Sequence, residues 1–219
     1  MGKIKQVVDI IMENFEVTDW WRGSSPFELL IGVILSQKTN WKNVRKALER
    51  FRAKFRTVKD VAESPVEEIE KAIRPAGLYR VKAARISKLA KHLVDERGSR
   101  LEDILKMPYS RAKMELIKIE GIGPKTADVF LMFARNEQVL PVDTHILRIM
   151  KRLGVADKTD YESLRAKLEA EIEPHKRLKA HIALIEFGRK ICKATNPLCD
   201  TCPVKNYCLF RSNNKTKPE

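Results

Sequence analysis

A chain of 219 residues with 43% hydrophobic side chains has the means to bury a core, either as one large domain or as two small lobes that share a cleft. It holds no apolar run of roughly 18 residues, the length a membrane-crossing helix needs, and its start, Met1-Gly2-Lys3-Ile4-Lys5-Gln6, lacks the apolar stretch of a secretory signal, so a cytoplasmic protein is expected. Lysine and arginine outnumber aspartate and glutamate by 43 to 29, a formal charge of +14 that favours a polyanionic partner, although an ordinary solvated basic surface explains charge alone equally well.

The apolar pattern is helical nearly throughout. Ile4, Val7, Val8 and Ile11 stand at i, i+3, i+4 and i+7, and Phe15 continues the stripe. Ser25-Pro26-Phe27-Glu28 reads as a capping box with proline in the first turn, followed by Leu30, Ile31 and Ile34 at core spacing. Ser64-Pro65-Val66-Glu67 repeats that start signal ahead of Ile69 and Ile73. Further helices are expected over 81–96, 101–106, 111–118, 125–135, 144–153, 161–172 and 176–187, giving about ten in an all-α protein with no strand alternation and no internal repeat.

Between two of these helices lies Glu120-Gly121-Ile122-Gly123-Pro124-Lys125-Thr126-Ala127. Gly121 and Gly123 permit backbone angles closed to other residues, Ile122 is suited to plug the turn into its own core, and Pro124 suits the first position of the next helix. The free amides of that first turn and the helix dipole make an anion site, a device that grips a nucleic-acid backbone without reading bases. In a plain hairpin Lys125 would be one more phosphate contact. Pro141-Val142-Asp143-Thr144-His145 follows, with Asp143 standing 18 residues after Lys125 and heading Ile146, Ile149, Met150 and Leu153 at helical spacing. Asp143 is therefore a natural N-cap, which fixes a carboxylate in one orientation.

The only four cysteines are Cys192, Cys199, Cys202 and Cys208, spaced C-x6-C-x2-C-x5-C. Four thiols so close in a cytoplasmic protein indicate one metal centre rather than disulfides, and their chemistry alone leaves zinc and a [4Fe–4S] cluster both open.

Taken together, the Gly121–Ala127 hairpin, the Val142–His145 segment at its spacing, Gly77-Leu78-Tyr79 followed by Lys82-Ala83, and the cysteine pattern resemble the endonuclease III branch of the helix–hairpin–helix DNA glycosylases, over about residues 5 to 210. The resemblance implies a [4Fe–4S] cluster on the four cysteines, with Lys190, Lys193 and Lys205 facing DNA phosphates around it. It implies a monomer that binds duplex DNA containing a damaged base and extrudes that base, with Gln37 and Leu78 refilling the gap and Gly121, Ile122, Gly123, His145 and Lys193 contacting DNA. Lys125 is then the nucleophile that attacks C1′ of the deoxyribose, and Asp143 its carboxylate partner. The implied reaction is base excision followed by strand cleavage through β-elimination, most naturally on oxidised pyrimidines.

The resemblance also implies two helical lobes flanking a DNA-binding cleft: a six-helix lobe over 25–138 that carries the hairpin, and a cluster lobe over 1–24 plus 139–210, with a flexible tail over 211–219. Trp20-Trp21, Ser36-Gln37-Lys38-Thr39-Asn40-Trp41 and Arg74-Pro75-Ala76-Gly77 look similar instead to a related branch that excises alkylated purines. That branch implies a monofunctional glycosylase, for alkylated purines or for mismatched or deaminated bases, whose aromatics stack on a cationic base. A non-catalytic DNA-binding protein and a zinc-bearing adaptor are the readings from other classes.

Overall fold

The computed structural model describes residues 2–16, 21–95, 101–156 and 160–214. Every regular element among them is helical, as the periodicity predicts: thirteen α-helices and three short 3-10 turns. They fall into two compact units, one made of residues 1–20 with 138–219 and the other of residues 21–137.

The unit over 21–137 contains α2 (Pro26–Leu35), α3 (Trp41–Lys54), α4 (Val58–Glu63), α5 (Val66–Ile73), α6 (Tyr79–Val94), α7 (Leu101–Lys106), α8 (Tyr109–Lys118) and α9 (Pro124–Arg135). Its centre is α2, where every residue from Leu29 to Leu35 is buried, with α3, α6 and α9 packed around it. The predicted capping box starts this helix: Ser25 Oγ accepts from the Glu28 amide and the Glu28 carboxylate accepts from the Ser25 amide. The eight helices exceed the expected six because α3 and α4 join the list. Asn40 caps α3 by accepting from the Asn43 amide, and its core stripe is Val44, Ala47, Leu48 and Phe51. The second start signal is corrected too. Ser64 ends α4, its hydroxyl donating back to Asp60 O at 2.6 Å, and α5 begins at Val66 with no side-chain cap.

The unit over 1–20 and 138–219 contains α1 (Lys3–Asn14), α10 (Thr144–Arg152), α11 (Tyr161–Glu171), α12 (Arg177–Lys190) and α13 (Leu209–Asn214). The predicted stripe of α1, Ile4, Val7, Val8 and Ile11, is fully buried and packs mainly on α12, where Phe15 meets Phe187 edge to face at 5.8 Å. Lys3 Nζ donates to Leu153 O at 2.6 Å and Lys5 pairs with Glu173, so the first helix is fastened to segments about 150 residues away in sequence. α13 carries the chain through residue 214, so residues 211–214 of the expected tail are helical, and 215–219 lie outside the described residues.

Candidate active site

The hairpin connects α8 to α9. Gly121 takes φ +89°, the left-handed region that disfavours a Cβ, whereas Gly123 is extended at φ −88°, ψ 175°, so only the first glycine is demanded by its backbone angle. Gly123 has a different use: a Cβ there would meet nothing within 4 Å, which leaves open space over the first turn of α9 for an approaching phosphate. Ile122 is 3% exposed and plugs the turn as expected, and its amide donates to Ile119 O at 3.0 Å. Ile122 therefore supports the hairpin from inside, and the amides without a carbonyl partner earlier in the helix are those of the α9 first turn. Behind them Asp128, wholly buried, accepts from Tyr109 Oη at 2.7 Å and Lys113 Nζ at 3.0 Å, which ties α9 to α8. Lys125 is the second residue of α9 and is exposed, and its side chain makes no hydrogen bond or ion pair among the described residues.

In the same unit Leu78 is 54% exposed, outside the core, and stands in the left-handed region at φ 49°, ψ 31°. Gln37 is half-buried, and its Oε1 accepts from Arg85 at 2.9 Å. Trp21 meets Phe133 with ring centroids 4.8 Å apart and ring planes tilted by 45°, and Trp20 lies outside the described residues.

The other unit carries the second group of predicted residues. Asp143 caps α10: its Oδ1 accepts from the Ile146 amide at 2.8 Å, and Oδ2 accepts nothing among the described residues. Half-buried His145 follows in the first turn, its Nδ1 3.0 Å from Arg148 Nη2. Burial pushes its pKa down and the Arg148 and Arg189 charges add to that, while Asp143 and the Gly188 main chain act in the opposite sense. Arg148 also donates to Gly188 O at 2.8 Å and Cys192 O at 3.0 Å. Just over one turn on, Arg152 donates to Lys193 O at 2.6 Å, Ala194 O at 3.1 Å and Cys192 Sγ at 3.2 Å, with its guanidinium 4.7 Å from the Phe210 ring. One helix thus holds the Asp143 carboxylate at its start and grips the cysteine loop with two arginines. Sequence reasoning passed over both arginines, although their i, i+4 spacing on a helix that precedes the cysteines was readable.

All four cysteines line a single apolar cavity walled by Ile149 and Val204. Burial, first, and the neighbouring thiols push the Cys199 and Cys202 pKa values up, an arrangement relieved by a bound cation. Among the described residues no three His, Cys, Asp or Glu side chains converge closely enough for a single ion. Four free thiols around one cavity suit a metal centre that takes four thiolates. Lys193 is exposed on this loop.

Comparison with known proteins gives these sites a setting. Residues 31–174 match the model of the HhH-GPD superfamily of base excision DNA repair proteins. The chain belongs to this superfamily. Residues 192–208 of this HhH-GPD protein match the iron–sulfur binding domain of endonuclease III, and its cofactor is a [4Fe–4S] cluster. It is 34% identical to endonuclease III of Thermotoga maritima over 206 residues, 94% of this chain and 90% of that one. A putative DNA repair glycosylase of Methanocaldococcus jannaschii is 31% identical over 217 residues, covering 95% and 96% of the two chains. Among solved structures, a trapped endonuclease III–DNA covalent intermediate matches with a TM-score of 0.84 and 33% identity over 98% of this chain and 99% of that one. The protein is a base-excision-repair DNA glycosylase with abasic-site lyase activity.

Proposed function

We propose that this HhH-GPD glycosylase removes oxidised pyrimidines from duplex DNA, with Lys125 as nucleophile and Asp143 as its carboxylate partner, acting as a monomer in the cytosol. The reading is carried by Lys125: an exposed lysine on the open first turn of α9, next to a hairpin with room for a phosphate, stands where a gripped strand would present its sugar. Its neutral amine attacks C1′, the bond from C1′ to the base breaks, and the base leaves with a proton. Ring opening then gives a Schiff base whose 2′ proton is acidic; its removal expels the 3′ phosphate and breaks the strand. Water hydrolyses the imine and frees the lysine. The Asp143 carboxylate, oriented by its bond to the Ile146 amide, stabilises positive charge on the sugar and receives protons.

Gly123 and the first-turn amides bind phosphate, Gly121 shapes the turn, Gln37 and Leu78 fill the gap left by the extruded base, and His145 and Lys193 contact the strand. Cys192, Cys199, Cys202 and Cys208 would hold the cluster, whose contribution when bound is to cross-link the loop that presents Lys193. Duplex oligonucleotides carrying thymine glycol, uracil, 8-oxoguanine or an alkylpurine, scored separately for base loss and strand cleavage, test the substrate. Fastest processing of thymine glycol with coincident loss and cleavage is expected. Preference for the alkylpurine with base loss alone would replace this reading by the monofunctional one.

A further inference from the structure

Lys82 lies on the buried face of α6 beside Ala83, Ile86, Leu89 and Ala90, and is 2% exposed. An ammonium is tolerated in a core only where other groups take its protons. Here Nζ donates to two main-chain oxygens, Leu35 O at 2.8 Å and Ala76 O at 2.9 Å. Burial lowers its pKa to about 8.

Those two carbonyls are not arbitrary. Leu35 is the last residue of α2, and the chain then turns through Gln37 and Lys38; Ala76 ends a 3-10 turn, and the chain then turns through Gly77 and Leu78. Lys38 at φ 52° and Leu78 at φ 49° are, asparagines apart, the only non-glycine residues in the left-handed region among the described residues. Such angles are unfavourable for side chains of this kind and persist where the surroundings hold them. With 54% of its surface exposed, Leu78 has little packing to do so. Arg85, nearly one turn along the same helix, binds Gln37 Oε1 and lays its stem over Gly121, where a Cβ would come within 3.0 Å of Arg85 Cδ.

We propose that Lys82 is a positioning residue for base extrusion: its Nζ fastens the Gln37 and Leu78 turns to one buried point, so that both side chains enter the duplex as one preorganised wedge. The proposal rests on the reading of Gln37 and Leu78 as gap-filling residues. A wedge already held in shape loses less conformational freedom on insertion than two independent loops. Lys82 itself, being buried, acts through the two turns it holds.

The test uses the cluster-loaded full chain and an abasic site presented in duplex and in the same strand alone, since only the duplex requires a wedge. Lys82→Met preserves length and apolar volume but gives neither carbonyl a proton. The duplex-to-single-strand ratio of single-turnover cleavage rates is expected to fall about tenfold, the scale of one hydrogen bond from a charged group. Equal losses on both substrates, or no loss, would overturn the proposal. Arg85→Met, which releases Gln37 without emptying the core, is expected to lower the same ratio about threefold, and an unchanged ratio there also counts against it. The Gln37→Ala, Leu78→Ala pair separates the two levels. If that pair leaves the ratio unchanged, the wedge reading itself fails. If the pair lowers it, Lys82→Met must add nothing further in that background, and additive losses would show that Lys82 does not act through the wedge.

Discussion

Gly188→Ala puts the packing between α10 and α12 to a test in which the sign of the effect is informative. Alanine in a helix interior is favoured over glycine by about 1 kcal/mol, so at an open site the exchange stabilises. At Gly188 a Cβ would stand 2.8 Å from His145 Cβ and 3.0 Å from its Nδ1. The nearer atom is the root of the His145 side chain and cannot swing away by a rotamer change; α10 itself would have to move. That helix is bolted in place by Arg148, which donates to Gly188 O and Cys192 O. Overpacking of this kind costs about 1–3 kcal/mol, and a clash at a side-chain root belongs in the upper half of that range. After the propensity gain, a net loss of about 1–2 kcal/mol remains, which for a chain of this size lowers Tm by about 3–6 °C. Thermal unfolding followed by circular dichroism, with the absorbance near 400 nm recorded in parallel, measures it. Lyase activity should fall as well, because the helix that has to shift also carries Asp143. A Gly188→Ala protein that melts at or above the wild-type temperature would refute the packing argument.

Two further outcomes are expected. Asp128→Ala removes the acceptor of both Tyr109 and Lys113 from a wholly buried position, and should cost about 3–5 kcal/mol in urea unfolding; a loss below about 1 kcal/mol would mean the pair contributes little. His145, whose folded pKa lies below its ordinary 6.5, should make stability pH-dependent: as pH falls below 6.5 the unfolded chain takes the proton first, so its contribution is fully present above 6.5 and is lost as pH falls through the folded value. His145→Gln should flatten that acid-side decline, and an unchanged pH profile would contradict it.

The sequence made the helices legible wherever the apolar stripe was unmixed. The α1 and α2 stripes and the Ser25 box are in the structure as read. α3 is absent from the expected helices although Asn40 and the Val44–Phe51 stripe carry its signal, because the lysines and arginines filling most of its other positions dilute a stripe of only four buried residues. Ser64 was misread because a serine before proline serves equally to end one helix or begin the next, and only the hydrogen bond to Asp60 O decides between them. At the site, the hairpin, Asp143 as a cap and the grouped thiols followed from local spacing. Lys82 and Arg85 did not, since their partners, Leu35 O, Ala76 O and Gln37, are brought to them by tertiary packing. A lysine inside the Ala83–Ile86–Leu89 stripe was the one visible hint.

The central claim is that Lys125 forms the covalent link to the sugar, and borohydride trapping measures that link directly. Wild-type protein incubated with duplex abasic DNA and borohydride should give a denaturation-resistant protein–DNA adduct whose cross-linked peptide contains Lys125, and Lys125→Gln should give none. Trapping by Lys125→Gln at the wild-type level, or an adduct mapped to another lysine, would remove Lys125 from the reaction.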